Sequence, residues 1–144
     1  MEKESEGIGP RTSSSALEFA RPELGVGSIG AVRYRTFTFQ DANLSASRTK
    51  YISEIRKPVF TLFEDERWTL RYILDKSQLT GNVPMTVDVL TLEGGFMFTV
   101  AQQVFALGCH VLERNFEGRW APPITFDFVG TLRIKLSSGQ VNLC

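Results

Sequence analysis

Apolar and polar residues alternate with a two-residue period in several parts of the chain. In RWTLRYIL (67–74), Trp68, Leu70, Tyr72 and Leu74 share one parity while Arg67, Thr69 and Arg71 occupy the other. That period, carried by β-branched and aromatic residues, predicts a half-buried strand. PVFTLF (58–63) precedes it across a Glu64-Asp65-Glu66 cluster, which reads as an acidic hairpin tip. In AVRYRTFTFQ (31–40), Val32, Tyr34 and Thr36 alternate with Arg33 and Arg35, and Phe37 and Phe39 then take over the opposite parity. A parity shift suggests a bulge or a strand covered on both faces. Gly81-Asn82 marks a turn before MTVDVLTL (85–92), a further strand with Met85, Val87 and Val89 on one face and a break at Glu93-Gly94-Gly95. ITFDFVGTLRIKL (124–136) alternates around Gly130 and predicts one long bent strand or two short ones.

Two segments break this pattern. DANLSASRTKYISEIRK (41–57) is polar with few aliphatic anchors, and predicts a loop and one short helix ending before Pro58. From 96 to 112, Val100, Val104, Leu107 and Val111, beside Met97, Ala101, Phe105, Gly108 and Leu112, form a broad apolar face at helical spacing. This predicts a helix of about 98–113 in preference to the alternative in which FMFTV alone is a strand returning from the Gly-Gly turn. NFEGRWAPP (115–123) reads as a loop from its Gly and paired Pro. The fold class expected is α+β: a mostly antiparallel sheet packed with one longer helix and one short helix, as a single domain over 31–144. Residues 1–30, with five Gly, five Ser, two Pro and a net charge of −2 (three basic side chains against five Glu), predict a flexible polar arm. Within the arm, ALEFARPEL (16–24) reads as a helical turn docked on the body or as a short motif that orders on a partner.

Composition narrows the function classes. In 144 residues, eleven Phe, three Tyr and two Trp supply a core that needs neither disulfide nor metal. A formal charge of zero argues against a strongly basic nucleic-acid module. Cys109 and Cys144 are too few and too distant to imply a disulfide framework, so reduced thiols in a cytosolic setting are expected. No apolar run approaches the roughly 18 residues of a spanning helix, and MEKESEGIGP lacks the apolar segment of a secretory signal. Any membrane association is therefore expected to be peripheral.

The chemistry on offer is thin. His110, the sole histidine, sits beside Cys109 in the most apolar stretch. Adjacent helical residues diverge by about 100°, so a buried thiol and a half-buried imidazole are expected rather than a nucleophile and its base. Cys109, His110 and Cys144 lack metal-ligand spacing. Asp127, between Phe126 and Phe128, faces water by alternation, and GVGSIG (25–30) fits GxGxxG without the preceding strand and following helix that a dinucleotide site requires. No catalytic residue, cofactor or metal is expected.

Charge placement is more informative. Residues 31–60 hold Arg33, Arg35, Arg48, Lys50, Arg56 and Lys57 against only Asp41 and Glu54, a balance of +4. Such a segment attracts phosphates of lipid headgroups or RNA, and the aromatics among it (Tyr34, Phe37, Phe39, Tyr51) suit base stacking. An acidic tip at Glu64, Asp65 and Glu66 would complement it and allow head-to-tail self-association.

From Trp68 onward the chain resembles the matrix proteins of rhabdoviruses and related negative-strand RNA viruses. WTLRYIL (68–74), MTVDVLTL (85–92), ALGCHVLE (106–113), EGRW (117–120) and DFVGTLRIKLSSGQ (127–140) are similar to family segments in that order. Two features depart from the family. The paired prolines, Pro122-Pro123, precede Ile124 and Thr125 instead of completing a PPxY-type or PTAP-type budding motif, and the arm is acidic. The resemblance implies a non-enzymatic viral structural protein of the host cytoplasm and virion, peripheral to membrane. It would self-associate and bridge an anionic membrane surface and the nucleocapsid, contacting viral nucleoprotein or RNA and no small-molecule substrate. The alternative is a small RNA-binding or silencing-suppressor module using the basic 33–57 segment. A third class, a small enzyme, would need a polar pocket around Asp127 or His110.

Overall fold

The computed structural model describes residues 11–47, 50–120 and 123–144. Its strands are β1 (Arg11–Ser13), β2 (Leu17–Glu18), β3 (Glu23–Ile29), β4 (Val32–Thr38), β5 (Ala42–Ala46), β6 (Tyr51–Phe63), β7 (Arg67–Ser77), β8 (Leu79–Leu90), β9 (Phe96–Leu107), β10 (His110–Arg119), β11 (Thr131–Leu136) and β12 (Gln140–Leu143). A 3₁₀ turn, Pro123–Phe128, links β10 to β11. All pairings are antiparallel. Each of the two sheets is organised around one long strand. β6 has β7 along one side and β5 and β4 end to end along the other, with β3 beyond β4 and β10 beyond β7. β8 likewise has β9 on one side and β12 and β11 on the other, with the short β1 and β2 outside them.

The two sheets pack face to face around one core. Phe37, Phe60, Leu62, Leu70, Tyr72 and Leu74 come from one sheet, and Val83, Met85, Val87, Phe105, Ile134 and Leu136 from the other. The Tyr72 and Phe105 rings stack at 4.1 Å across the interface, and the Tyr72 hydroxyl donates to the Ala106 carbonyl at 2.7 Å. Tyr72 thus satisfies its one polar group while burial pushes its phenol pKa up.

The α+β expectation is overturned: the molecule is an all-β, sandwich-like fold. The segment expected as a helix over 98–113 is β9, a tight turn and β10. A register shift against β8 leaves Val100 unpaired, between Thr99 opposite Asp88 and Ala101 opposite Val87. The inward parity therefore switches there, burying Val100 and Ala101 in succession and then Phe105 and Leu107. That spacing mimics a helical stripe. The short helix expected within 41–57 is absent; β5 and the start of β6 lie there. Pro58 sits inside β6 because a second register shift, with Lys57 at φ 46°, takes its missing N–H out of the ladder. Gly81-Asn82 is no turn but part of β8. Gly118 does not end β10; it makes room for the indole of Trp68, its cross-strand partner. The 124–136 segment is strand only from Thr131.

Of the arm expected over 1–30, residues 1–10 lie outside the described residues, while β1, β2 and β3 belong to the sheets. The 16–24 island contains β2 rather than a helical turn, and its Phe19 enters the core against Phe39 and Phe105. GVGSIG is the end of β3 and the first residue of the two-residue Gly30-Ala31 hairpin turn, in which Gly30 takes φ 61°. Cys109 and Cys144 are not free thiols: they form a disulfide, because β12 on β8 and the β9–β10 turn meet at one end of the sandwich.

Candidate functional site

Cross-strand partners share a face, and Arg35 pairs with Leu62 as Phe37 pairs with Phe60. Arg33 and Arg35 therefore belong to the core-facing side of β4, in phase with Phe37, and the register to β3 and β6 is unbroken. No parity shift exists in this strand. Where the opposing sheet stops covering them, the two arginines meet the 3₁₀ turn instead. Arg33 donates to both carboxylate oxygens of Glu64, from Nε at 3.2 Å and Nη2 at 2.7 Å, and its Nη1 lies 3.2 Å from Asp127. Arg35 donates to the Val129 carbonyl at 2.9 Å. Both guanidinium groups lie over the Phe126 ring, at 5.1 and 5.0 Å. The hydrogen bonds from Arg33 hold the Glu64 carboxyl below its usual range, and Glu64 in return raises the Arg33 pKa. These charges neutralise each other and fasten the turn over the open end.

The other expected cations lie elsewhere. Arg56 is held by Asp75 at 3.0 Å and lies 4.0 Å from Asp41, whose carboxylate also accepts from the Lys57 backbone N–H at 2.8 Å. Lys50 lies at the opposite end of β6 from Arg33, separated by roughly 35–40 Å of extended chain. Arg48 lies outside the described residues. Of the six expected ligands of an anionic surface, the five among the described residues are thus not gathered on one face. Among the described residues, Lys50 and Lys57 are exposed and make no ion pair. The acidic tip is likewise spoken for: Glu64 by Arg33 and Asp65 by Arg67 at 2.9 Å, leaving Glu66 at φ 75° in the turn.

At the Lys50 end a groove of about 560 Å³ is lined by Tyr51, Lys76, Gln78, His110 and Cys144 among others, and the Lys50 ammonium lies 5.5 Å from the Tyr51 ring centre. No Asp or Glu side chain lines this groove. His110 is exposed rather than half-buried, and the neighbouring Cys109 sulfur is taken by the disulfide. Asp127 and His110 sit toward opposite ends of β7, roughly 30 Å apart. Among the described residues no cluster of three or more His, Cys, Asp or Glu is placed to hold a metal, and no helix is long and apolar enough to cross a membrane.

One surface escapes sequence reasoning. Leu24 and Val26 of β3 lie on the core-facing side, opposite Phe37 and Arg35, yet are 51% and 72% exposed. A cleft of about 520 Å³ joins Leu24 to Met97, Leu92 and Phe128, the last two 86% and 69% exposed. The signal was faint, because two apolar residues in a Gly-rich stretch show no period. No protein-family model, curated protein or solved structure matches the chain.

Proposed function

We propose that this is a non-enzymatic structural protein of the matrix type, which associates with copies of itself and holds an anionic membrane surface against viral nucleoprotein. The Cys109–Cys144 disulfide removes the reduced-thiol ground for a cytosolic setting, so the place proposed is the virion, peripheral to membrane. The observation that carries the reading is the largely apolar cleft to which Leu24, Leu92, Met97 and Phe128 contribute, bordered by Arg35, Glu93 and Asp127, with the exposed Val26 next along the same face of β3. Contiguous apolar surface of this kind marks a protein–protein contact. Arg33 and Asp127 beside it are mutually neutralised, which favours a protein over an anionic lipid at that end. Lipid contact falls instead to Lys50 and Lys57.

Light scattering across a concentration series, together with co-sedimentation on vesicles containing phosphatidylserine, tests the reading. Concentration-dependent oligomers and vesicle binding are expected; a strict monomer indifferent to vesicles and RNA overturns it. A second reading, a small RNA-binding module, is favoured by Lys50 over the Tyr51 ring beside Lys76 and His110. Its mark would be RNA binding that falls steeply with salt and is weakened by Tyr51→Ala.

A further inference from the structure

We infer that β3 is the self-association strand, pairing antiparallel with β3 of a second copy across a two-fold axis near Val26. The inference rests on the self-associating reading above and specifies its interface. An exposed sheet edge invites pairing unless it is short, bulged or charged. Among the described residues, β1 and β2 are three and two residues long. β9 is interrupted by two register shifts, and the free side of β5 is met by Ser14 and Ser15. β10 carries Glu113, Arg114, Glu117 and Arg119. β3 has none of these protections: seven residues in unbroken register with β4, no pairing partner on its other side among the described residues, and Glu23 as its only charge.

The strand also suits a copy of itself. Antiparallel pairing centred on Val26 sets Val26 against Val26, Gly25 against Gly27 and Leu24 against Ser28, while Glu23 falls opposite Ile29 of the copy, so no like charges meet. The molecule's formal charge of zero adds no net repulsion between copies. The second strand would run along the cleft under Leu24, where Leu92 and Phe128 are open. The exposed parts of Leu24, Val26, Leu92 and Phe128 amount to roughly 500 Å² per copy. A symmetric pair would then hide about 1,000 Å² before main-chain area is added, the lower bound for a specific interface.

Sedimentation velocity on the whole chain, with Val26→Lys and Val26→Cys variants, decides the matter. Val26 is largely exposed, so Val26→Cys is expected to unfold at the wild-type temperature, whereas Val26→Lys, set opposite Arg35 of its own β4, is expected to unfold slightly lower while staying folded at the temperature of the experiment. Val26→Lys brings two ammonium groups together at the axis and is expected to weaken dimerisation about tenfold or more. Val26→Cys is expected to give a reducible dimer on non-reducing gels, whereas Ile29→Cys, whose partner in this register is Glu23, is not. If the wild type oligomerises but Val26→Lys leaves it unchanged and Val26→Cys does not cross-link, the interface is wrong and self-association survives. If Val26→Lys removes vesicle binding while leaving the oligomer intact, the strand docks on lipid and the proposal falls. A wild type that stays monomeric at every concentration removes both the interface and the reading beneath it.

Discussion

Arg33 and Arg35 lie in phase with Phe37 on β4, and this one fact changes what their charge does. An arginine on the inner side of a sheet, past the point where the opposing sheet stops, keeps its stem against apolar surface and sends its head to whatever polar group closes the end, here Glu64, Asp127 and the Val129 carbonyl. Because the Arg33 hydrogen bonds depress the Glu64 pKa, the pair stabilises the fold above the usual glutamate value and loses its effect as pH falls through the depressed one. Melting temperatures of wild type and Glu64→Gln should therefore differ at neutral pH and converge on acidification; a gap that does not change with pH would contradict the assignment. Phe105, fully buried between Tyr72 and Phe19, is the corresponding apolar test. Phe105→Ala should lower stability in urea titrations by about 3–5 kcal/mol, through lost burial and the cavity left behind.

Strands with a clean two-residue period were legible, and 58–63, 67–74 and 85–90 lie in β6, β7 and β8. Two of the elements misread are those in which a bulge changes the parity. In β9, Val100 inserts into the ladder and turns alternation into an apparent helical stripe; in β6, the shift at Lys57 hides a strand behind a proline. The 16–24 island was masked for a different reason: β2 is two residues long and owes its existence to β11. The disulfide belongs to this scale too, since it ties the end of β12 to the β9–β10 turn across 35 residues. Closing a loop of that length restricts the unfolded chain, so Cys144→Ser should cost about 3–4 kcal/mol in chemical denaturation. Dithiothreitol should weaken the wild type by a similar amount and leave the variant unchanged.

For the whole molecule, the +4 segment of the sequence separates in space into a neutralised knot at one end, a clamp around Arg56, and the exposed Lys50 and Lys57. Binding to phosphatidylserine vesicles should thus fall about tenfold or more in a Lys50→Glu, Lys57→Glu double variant, because each lysine near an anionic surface contributes about 1 kcal/mol. The Arg33→Ala, Arg35→Ala double variant should instead lower the melting temperature and leave vesicle binding within about twofold. The reverse pattern in co-sedimentation would return the anionic site to β4.

Local alternation was enough to place the tip half of the β6–β7 hairpin, 58–63 and 67–74 with Glu64, Asp65 and Glu66 between them, and the break at Glu93-Gly94-Gly95, because each depends on neighbours a few residues apart. The inner side of β4, the pairing of Cys109 with Cys144, the partners of Arg33 and the open apolar corner beside β3 were decided only by the tertiary structure. Each depends on groups about 30 to 105 residues apart in the chain, brought together by strand pairing and by the packing of one sheet on the other. Periodicity reports that a strand has two faces; the opposing sheet, and where it stops, settles which face is covered and what an uncovered side chain meets.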